Sequence, residues 1–452
     1  VMHHIVSDGW SMSILVREMT ALYEAHTQGR EPSLPELPVQ YADYAVWQRE
    51  WLQGEVLEEQ VAYWRKQLGG APRALELPTD KPRPAVQSFR GEIRHVLWSK
   101  ALWHAVEALG RREGVTPFMV LLAAYQTVLS RYSGQDDVCV GSPIAGRSRS
   151  ETEGLIGFFV NTLVLRTRLT STQTFRQLLA QVKEVTLGAY AHQDVSFEKL
   201  VEELQPERDL SRNPLAQVTL TLQNTPGTGT QLQGLTLERM EAEERTSKFD
   251  LSLLVEDDEA GVSVLVNYNS DLFEAETMER LLGHLRVLLE AAVARPEQRL
   301  ADLPLMDAED QRGLVEAWSG RRTEYPREQS LAELFEAQVE KTPDAVAVEY
   351  HGRQLTYTEL NGRANQLAHY LCAMGVGPEV RVGLCVERSL ELVVSMLGIL
   401  KAGGVYVPLD ASYPLERLGW MKREAGVALL VAQERLADEV AEGSELVVCV
   451  DT

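Results

Sequence analysis

The sequence contains few cysteines and has no excess of basic side chains. Only 4 cysteines occur in 452 residues. They are scattered and form no Cys-x-x-Cys pair, which fits the reducing environment of the cytoplasm, where we expect the protein to be. Lysine and arginine total 44 against 66 aspartate and glutamate residues, a formal net charge of -22. A surface this acidic argues against nucleic acid and anionic membranes as partners.

Long apolar runs and a recognisable signal peptide are also missing. The uncharged run from Gly114 to Ser130 contains Thr116, Pro117 and Gln126. It is shorter than the ~20 apolar residues that cross a membrane, so we expect no membrane partner. Apolar residues still make up 44% of the chain, which is enough for large buried cores and argues against disorder. At roughly 150 residues per folding unit, the length predicts about three units.

Helix and strand signals alternate along the chain. Residues 1–6 read as the end of a strand, followed by a turn at Ser7-Asp8-Gly9 and by helices over 10–26 and 40–68, the second broken near its middle. The mixed strands and helices that follow indicate an α/β layered core. From Leu331 onward, strands and helices succeed one another regularly. This order predicts a parallel, doubly wound sheet in the last part of the chain.

Two connecting segments divide the sequence. Residues 71–84 are rich in proline, which favours an extended connection between two lobes. A polar connector later separates the second lobe from a further unit. We therefore predict four parts: the remainder of a first lobe at 1–70, a second lobe at 71–302, a linker at 303–328 and a further unit at 329–452. The chain also looks cut at both ends, because a motif follows Val1 directly and a strand-like run precedes Thr452.

The strongest local signal of chemistry is His3-His4-x-x-x-Asp8-Gly9. Adjacent histidines on a strand point to opposite faces, so only one of them can face a given cleft. The pattern predicts one working imidazole and one structural histidine, with Asp8 as an organiser that accepts hydrogen bonds or meets a cation. Gly9 would permit close backbone approach or a positive φ. A core histidine beside a helix-capping aspartate is the alternative, and a metal site is disfavoured because the two histidines diverge.

Five segments, in order, resemble the motifs of the condensation domain of nonribosomal peptide synthetases. They are Met2–Ser11, Tyr41–Gln48, Ile156–Thr162, His192–Glu198 and Arg208–Leu215. One departure is Val195-Ser196, where the family more often has an aromatic residue followed by proline, and this affects the loop conformation rather than the chemistry. Two further family motifs precede the histidine motif and are absent. The arginine said to pair with the motif aspartate belongs to one of them, so we expect Asp8 to lack its partner.

The last unit resembles the start of an adenylation domain. Leu355–Leu360 is similar to that family's first core motif, and Leu400–Asp410 is similar to its second. Both motifs are largely architectural, and the second also reads as a helix end followed by a buried strand. The Ser/Thr/Gly-rich phosphate loop of the family does not occur before Thr452. The resemblance implies ATP and Mg²⁺ as cofactors of a complete adenylation domain, and we expect this portion alone to activate no amino acid.

The resemblance implies a two-lobed fold like that of chloramphenicol acetyltransferase, with a tunnel between the lobes. Upstream and downstream peptidyl carrier domains would present substrates on 4′-phosphopantetheine arms from opposite ends. The condensation part itself would bind no cofactor and no metal. The acceptor amine would attack the donor thioester, and a peptide bond would form. As cut, the chain is expected to be inactive in both reactions.

The motif residues receive different expected roles. His4 is the residue that we expect to act, by positioning and by proton acceptance, while His3, Asp8 and Gly9 shape the site. A second group would support the substrate tunnel. This group consists of Trp10 and Ser11, which more simply read as packing and a helix start, and of Asn161, which equally reads as a capped turn in a strand.

Other functions remain open from the sequence. An epimerisation domain has the same fold and histidine motif but moves a proton at Cα, and the adenylation start that follows here argues against it. Heterocyclisation domains carry aspartates in place of His3 and His4. A degenerate domain that only docks carriers is disfavoured by the intact motif, and a free-standing acyltransferase dependent on coenzyme A is disfavoured by the segment 355–410. The motif spellings favour an L-donor and an L-acceptor.

Overall fold

The protein is described here by a computed structural model. It describes residues 2–206, 209–223, 245–257, 261–320, 323–441 and 446–452, so Val1 and Arg208 of the predicted segments lie outside the described residues. The chain divides into two compact units, Val1–Gly320 and Arg321–Thr452. None of the helices in these described ranges combines the length and apolar character needed to span a membrane.

The first unit opens with helical structure. After a single 3-10 turn at His4–Val6 come α1 (Gly9–Thr27), α2 (Tyr41–Trp51) and α3 (Gly54–Leu68). The strand predicted for residues 1–6 is therefore wrong. The turn forms because the Ile5 amide donates to Nδ1 of His3 at 3.1 Å and the Val6 amide donates to the His3 carbonyl at 3.1 Å. The predicted break between the second and third helices is confirmed, and Gly54 has a φ of 55° there.

The rest of the first unit is a mixed α/β layer. Its elements are β1 (Gly91–Trp98), α4 (Lys100–Glu113), α5 (Pro117–Ser133), β2 (Asp137–Ile144), β3 (Asn161–Arg168), α6 (Phe175–Ala191), α7 (Phe197–Leu204), β4 (Val218–Gln223), β5 (Leu251–Asp257), β6 (Val262–Asn269), α8 (Ala275–Ala294) and α9 (Ala308–Trp318). Among the described residues, six strands form one sheet in the order β1-β6-β5-β4-β2-β3. Strand β4 pairs in parallel with β2 and β5, and the other pairs are antiparallel. The predicted α/β class is thus confirmed.

Local capping signals explain where the core helices begin. Ser99 accepts a hydrogen bond from the Leu102 amide at the start of α4, and Thr116 caps α5 ahead of Pro117. The middle of α5, from Met119 to Leu129, is buried all round because its residues are almost entirely apolar. Helix α5 packs on β2, α6 on β3 and α8 on β1. These helices and the sheet share one hydrophobic core.

Helix α3 belongs to that same core. Its Val61, Trp64 and Leu68 are buried in the cluster that contains α5 and the sheet strands. The guanidinium group of Arg166 on β3 donates to the carbonyls of Gln67, Gly69 and Gly70 at 2.9–3.0 Å, just at the end of α3. The packing therefore joins α3 to the second part of the unit, while the predicted boundary between residues 70 and 71 stays a prediction.

The segment predicted as a polar linker, 303–328, contains helix α9. Asp307 caps this helix by accepting hydrogen bonds from the Glu309 and Asp310 amides at 2.9 Å. A connector made only of irregular chain was therefore the wrong expectation. A short capped helix forms because Asp307 satisfies amides that would otherwise lack partners.

The second unit contains a parallel sheet. Its elements are α10 (Leu331–Lys341), β7 (Val346–Tyr350), β8 (Arg353–Thr356), α11 (Tyr357–Ala373), β9 (Arg381–Cys385), α12 (Leu390–Lys401), β10 (Val405–Pro408), α13 (Leu415–Ala425), β11 (Leu429–Ala432), α14 (Glu434–Val440) and β12 (Val447–Cys449). Strands β10, β9, β11 and β12 lie in this order, and all their pairings are parallel. Because the second strand in sequence lies on one side of the first and the third lies on the other, the sheet is doubly wound, as predicted.

Candidate active site

His4 has one ring nitrogen committed to the backbone and the other available. Its Nδ1 lies 2.7 Å from the carbonyl oxygen of Ser7. A carbonyl can only accept, so Nδ1 carries the proton and Nε2 of the neutral ring keeps its lone pair. The side chain is exposed at the start of the first unit. The arrangement therefore presents an imidazole acceptor in a defined tautomer.

His3 has a different role. Its Nδ1 accepts the hydrogen bond from the Ile5 amide that closes the 3-10 turn. This turn places Ser7 where its carbonyl meets His4. The geometry therefore gives the two histidines distinct tasks: His3 caps the turn, and His4 exposes a free nitrogen.

Asp8 is the buried organiser of the motif. It caps α1, because its Oδ1 accepts from the Ser11 amide at 2.8 Å, and its Oδ2 accepts from the Phe159 amide at 3.1 Å. Nη2 of Arg147 lies 3.3 Å from Oδ1, and the two side chains are 0% and 1% exposed. The expectation that Asp8 lacks an arginine partner is therefore wrong. The partner comes from the segment between β2 and β3 of the same chain.

The surroundings of Asp8 keep its carboxylate ionised. Burial by itself would raise the pKa of Asp8. The hydrogen bonds from Ser11 and Phe159 and the charge of Arg147 outweigh it, so the pKa of Asp8 lies below its ordinary value. The same burial lowers the pKa of Arg147, and the charge of Asp8 opposes that effect. A guanidinium group remains protonated under such conditions, so the pair is a buried ion pair.

Arg147 connects the helix α1 start to the loop before β3. Its Nη1 donates to the carbonyls of Thr152 and Leu155, and its Nη2 donates to Oγ of Ser11 at 2.9 Å. The guanidinium carbon also lies 4.0 Å from the ring centre of Phe159, a cation–π contact. The side chain thus fixes the position of the loop relative to Asp8.

Ser11 does more than begin a helix. Its side chain is fully buried, and its Oγ donates to the Gly157 carbonyl at 2.9 Å while accepting from the Gly157 amide at 3.1 Å. The indole Nε1 of Trp10 donates to the Glu153 carbonyl at 2.9 Å. Both residues therefore hold the loop that carries Phe158 and Phe159.

The reasons expected for Gly9 do not apply. Its φ is not in the left-handed region, and a Cβ added there would meet no described atom within 4 Å. Gly9 is the first residue of α1, and the space beside it is open. The expectation of close backbone approach or a positive φ is wrong, and the glycine instead leaves room next to the histidine motif.

Asn161 anchors the loop that leads into α7. Its Nδ2 donates to the carbonyls of Gln193 and Val195 at 2.9 and 2.7 Å, and its Oδ1 accepts from the Phe197 amide at 3.0 Å. Ser196, which stands where the family more often has proline, caps α7 by accepting from the Lys199 amide. The loop therefore has a defined conformation despite the unusual Val195-Ser196 pair.

A cavity of about 200 Å³ lies between α2, the loop before β3 and the loop before α7. Its walls include the aromatic side chains of Tyr41, Tyr44 and Phe158 together with Asn161 and Asp194. Burial raises the pKa of Asp194, and the positive charge of Arg149 opposes that rise. Phe158 is also the aromatic neighbour of His4, so the cavity adjoins the histidine motif.

Several of these residues were not identified as functional from the sequence. Arg147 carries no local signal, because its partner is distant in the chain. Phe158, Tyr41 and Asp194 lie within the segments that resemble family motifs, and that position was the signal available for them. Across the described residues, no group of three or more His, Cys, Asp or Glu side chains is placed to hold a metal ion.

Comparison with known proteins identifies both units. A family model described as "Condensation domain" matches residues 1–315. The chain belongs to the condensation-domain family. A second family model, "AMP-binding enzyme", matches residues 335–452, so the condensation domain is followed by the start of an AMP-binding domain.

The similar proteins are nonribosomal peptide synthetases. A linear gramicidin synthase of Brevibacillus parabrevis is 49% identical over 100% of this chain and 6% of its own length, and tyrocidine synthase 3 of the same organism is 44% identical over 98% and 7%. A solved four-domain nonribosomal peptide synthetase bound to AMP and glycine matches with a TM-score of 0.77 at 27% identity, covering 100% of this chain and 35% of that one. The chain spans less than a tenth of these two curated relatives. The predicted family and fold are thereby confirmed.

The adenylation motifs of the second unit have structural roles. Thr356 caps α11 together with Glu359, each side chain bonding the other's backbone amide. Lys401 at the end of α12 pairs with Glu336 on α10 and lies over the ring of Phe335. These contacts agree with the expectation that the motifs are largely architectural.

Proposed function

We propose that the first unit forms a peptide bond between carrier-tethered substrates and that Nε2 of His4 accepts the proton from the attacking amine. The observation that carries this proposal is the bond from Nδ1 to the Ser7 carbonyl, which leaves Nε2 unprotonated in the neutral ring. Membership of the condensation-domain family supports the reaction class.

In the proposed reaction, the amine nitrogen of the acceptor attacks the thioester carbonyl carbon of the donor. The C–N bond forms, the C–S bond breaks and the donor arm leaves as a thiol. A free α-amine has a pKa of about 7.7–8.0, so holding it neutral at pH 7 costs only ~1 kcal/mol. The nitrogen becomes far more acidic once it has attacked, and an imidazole can then accept its proton. Alignment of two tethered substrates could contribute more, up to ~7–11 kcal/mol.

The remaining motif residues would hold this geometry. Asp8 and its partner Arg147 fix the start of α1 against the loop before β3. His3 would set the turn that presents His4, and the open space beside Gly9 would leave room for a substrate. This assignment makes the buried ion pair a positioning element.

Ser11, Trp10 and Asn161 would support the substrate tunnel. Ser11 and Trp10 hold the loop before β3, and Asn161 holds the loop before α7. These two loops border the cavity next to His4. We place the tunnel between a first lobe, 1–70, and a second lobe, 71–302, with the linker 303–328 leading to the adenylation part, 329–452.

The proposed partners are upstream and downstream carrier domains whose 4′-phosphopantetheine arms bear the thioesters. ATP and Mg²⁺ would serve a complete adenylation domain, which activates the amino acid by adenylation. Occurrence of large synthetases among the relatives supports both assignments. The free state of all four cysteines supports a cytoplasmic location.

Substitution of His4 tests the proposal. In a complete synthetase module that contains this chain, His4→Ala is expected to slow transfer between loaded carriers by about 10²–10⁴-fold. Single-turnover mass spectrometry of both carriers measures the transfer. His104→Ala, at an exposed position of α4, is the matched control and should leave the rate unchanged. Undiminished transfer by His4→Ala would overturn the assignment, and deuterium exchange at the donor Cα without transfer would indicate epimerisation instead.

A further inference from the structure

The imidazole of His4 is held on a second side by an aromatic ring. The rings of His4 and Phe158 lie 5.1 Å apart between centres, at an angle of 79°. Such an edge-to-face contact is a preferred aromatic arrangement. The bond from Nδ1 to the Ser7 carbonyl fixes one end of the imidazole, and Phe158 limits rotation of the rest. Removal of Phe158 would leave the ring a single hydrogen bond to define its direction.

The backbone on both sides of Phe158 is bound to α1. The amide and the carbonyl of Gly157 both bond Oγ of Ser11, and the Phe159 amide donates to Oδ2 of Asp8. Ser11 and Asp8 are buried residues at the first turn of α1. The segment 157–159 therefore has little freedom to move relative to the histidine motif.

Tyr41, the first residue of α2, holds the same segment from the other side. Its hydroxyl donates to the carbonyl of Phe158 at 2.9 Å. Its ring lies so close to Gly157 that a Cβ added there would be 2.2 Å from Cδ2 of Tyr41. The ring also meets Phe159 edge-on, with centres 5.1 Å apart. Tyr41 therefore contacts all three residues of the segment.

These contacts form one connected arrangement. We infer that Phe158 is a positioning residue that orients the His4 imidazole, and that the Tyr41 hydroxyl sets the place of Phe158 through its carbonyl. The effect on peptide transfer rests on the proposed function, whereas the effect on the imidazole does not. The inference assigns to two motif segments a shared task that neither His4 nor Asp8 performs alone.

The transfer assay tests the first consequence. In the complete module, Phe158→Ala is expected to lower the single-turnover rate at saturating carrier by roughly 10- to 100-fold, because small misplacements of a reacting group are costly. The carrier concentration for half-maximal rate should stay within about threefold, since Phe158 acts through His4. Phe158→Tyr should restore most of the rate. Tyr41→Phe, which removes a single hydrogen bond, should cost about 3- to 10-fold.

A matched control separates positioning from loss of an aromatic side chain in general. Phe89, 51% exposed and outside the site, offers the same substitution, and Phe89→Ala should leave the rate unchanged. Thermal unfolding of each variant shows whether it is folded, and Phe158→Leu replaces Phe158→Ala if the latter is not. Equal losses in the Phe89 and Phe158 variants, or a loss seen only in half-saturation, would overturn the inference.

The tautomer of His4 gives a readout that does not depend on activity. In the full chain with ¹⁵N-labelled histidine, and with His4→Ala used for assignment, the wild type should show Nδ1 protonated. Phe158→Ala and Tyr41→Phe should raise the share of the Nε2-protonated form, because the ring is then free to leave Ser7. An unchanged tautomer in both variants overturns the positioning inference. A changed tautomer together with full transfer by His4→Ala overturns the proposed function and leaves the positioning in place.

Discussion

Nη2 of Arg147 lies 3.3 Å from Oδ1 of Asp8, across 139 residues of sequence, and both side chains are almost completely buried. Asp8 also caps α1, and Arg147 also holds two carbonyls of the loop before β3. The ion pair is therefore the point where the helix after the histidine motif is joined to that loop. Removing one partner would leave an uncompensated charge in a buried place.

Loss of either charge alone should destabilise the chain. Arg147→Met is expected to lower the free energy of unfolding by about 3–5 kcal/mol, because the carboxylate of Asp8 is left buried and unpaired. Denaturant unfolding of the full chain measures this value. The double variant with Asp8→Asn should lose less than the sum of the two single variants. Additive losses would show that the two side chains are not energetically coupled.

The contribution of Asp8 should depend on pH. Since the pKa of Asp8 is lowered in the folded state, the ionised carboxylate stabilises the fold above its unfolded value of about 3.9. That stabilisation is lost as the pH falls through the lowered folded value. The difference in unfolding free energy between wild type and Asp8→Asn should therefore be constant from neutral pH down to about 4 and then shrink. A difference that grows on acidification would contradict the lowered pKa.

Asp194 should behave in the opposite way. Burial raises its pKa, so the folded chain holds its proton more tightly than the unfolded chain does. Stability is then lost as the pH rises from the unfolded value through the folded value. Asp194→Asn should stabilise the chain at neutral pH and have little effect where Asp194 is protonated in both states. Thermal unfolding at the two pH values measures this, and a destabilised neutral variant would contradict it.

Gly157 should tolerate no side chain. A Cβ there would lie 2.2 Å from Cδ2 of Tyr41, so Gly157→Ala must displace either the loop or α2. We expect a loss of about 1–3 kcal/mol in unfolding free energy. Gly9→Ala is the matched stability control, because its Cβ meets no described atom within 4 Å and alanine favours a helix. Equal stability of the two variants would show that Tyr41 yields easily.

Local signals predicted much of the secondary structure. Ser99, Thr116 and Pro117 mark helix starts in the sequence, and helices begin there. The doubly wound sheet of the second unit followed from regular strand–helix order. Residues 1–6 were assigned wrongly because a side chain, that of His3, closes a turn that apolar patterning does not reveal. The α/β class therefore needed only local information, whereas the turn needed side-chain geometry.

The organisation of the site was predictable only in part. The histidine motif and Asp8 were identified from their spacing and resemblance, but Arg147 was not, because a pairing across 139 residues leaves no local pattern. Strand β1 was also not predicted. It carries Glu92, Arg94 and His95, whose polarity suits an edge strand and hides the usual alternation.

The hydrogen bonds of Arg166 have a mechanical consequence. They attach the end of α3 to β3, so these two elements respond to a displacing force as one piece. Moving α3 away from the sheet would break all of these bonds together and would also expose Trp64. Residues 28–40, between α1 and α2, form no helix or strand and resist bending far less. Any hinge motion of the opening helices is thereby directed to the stretch upstream of α2, away from the residues that hold the sheet.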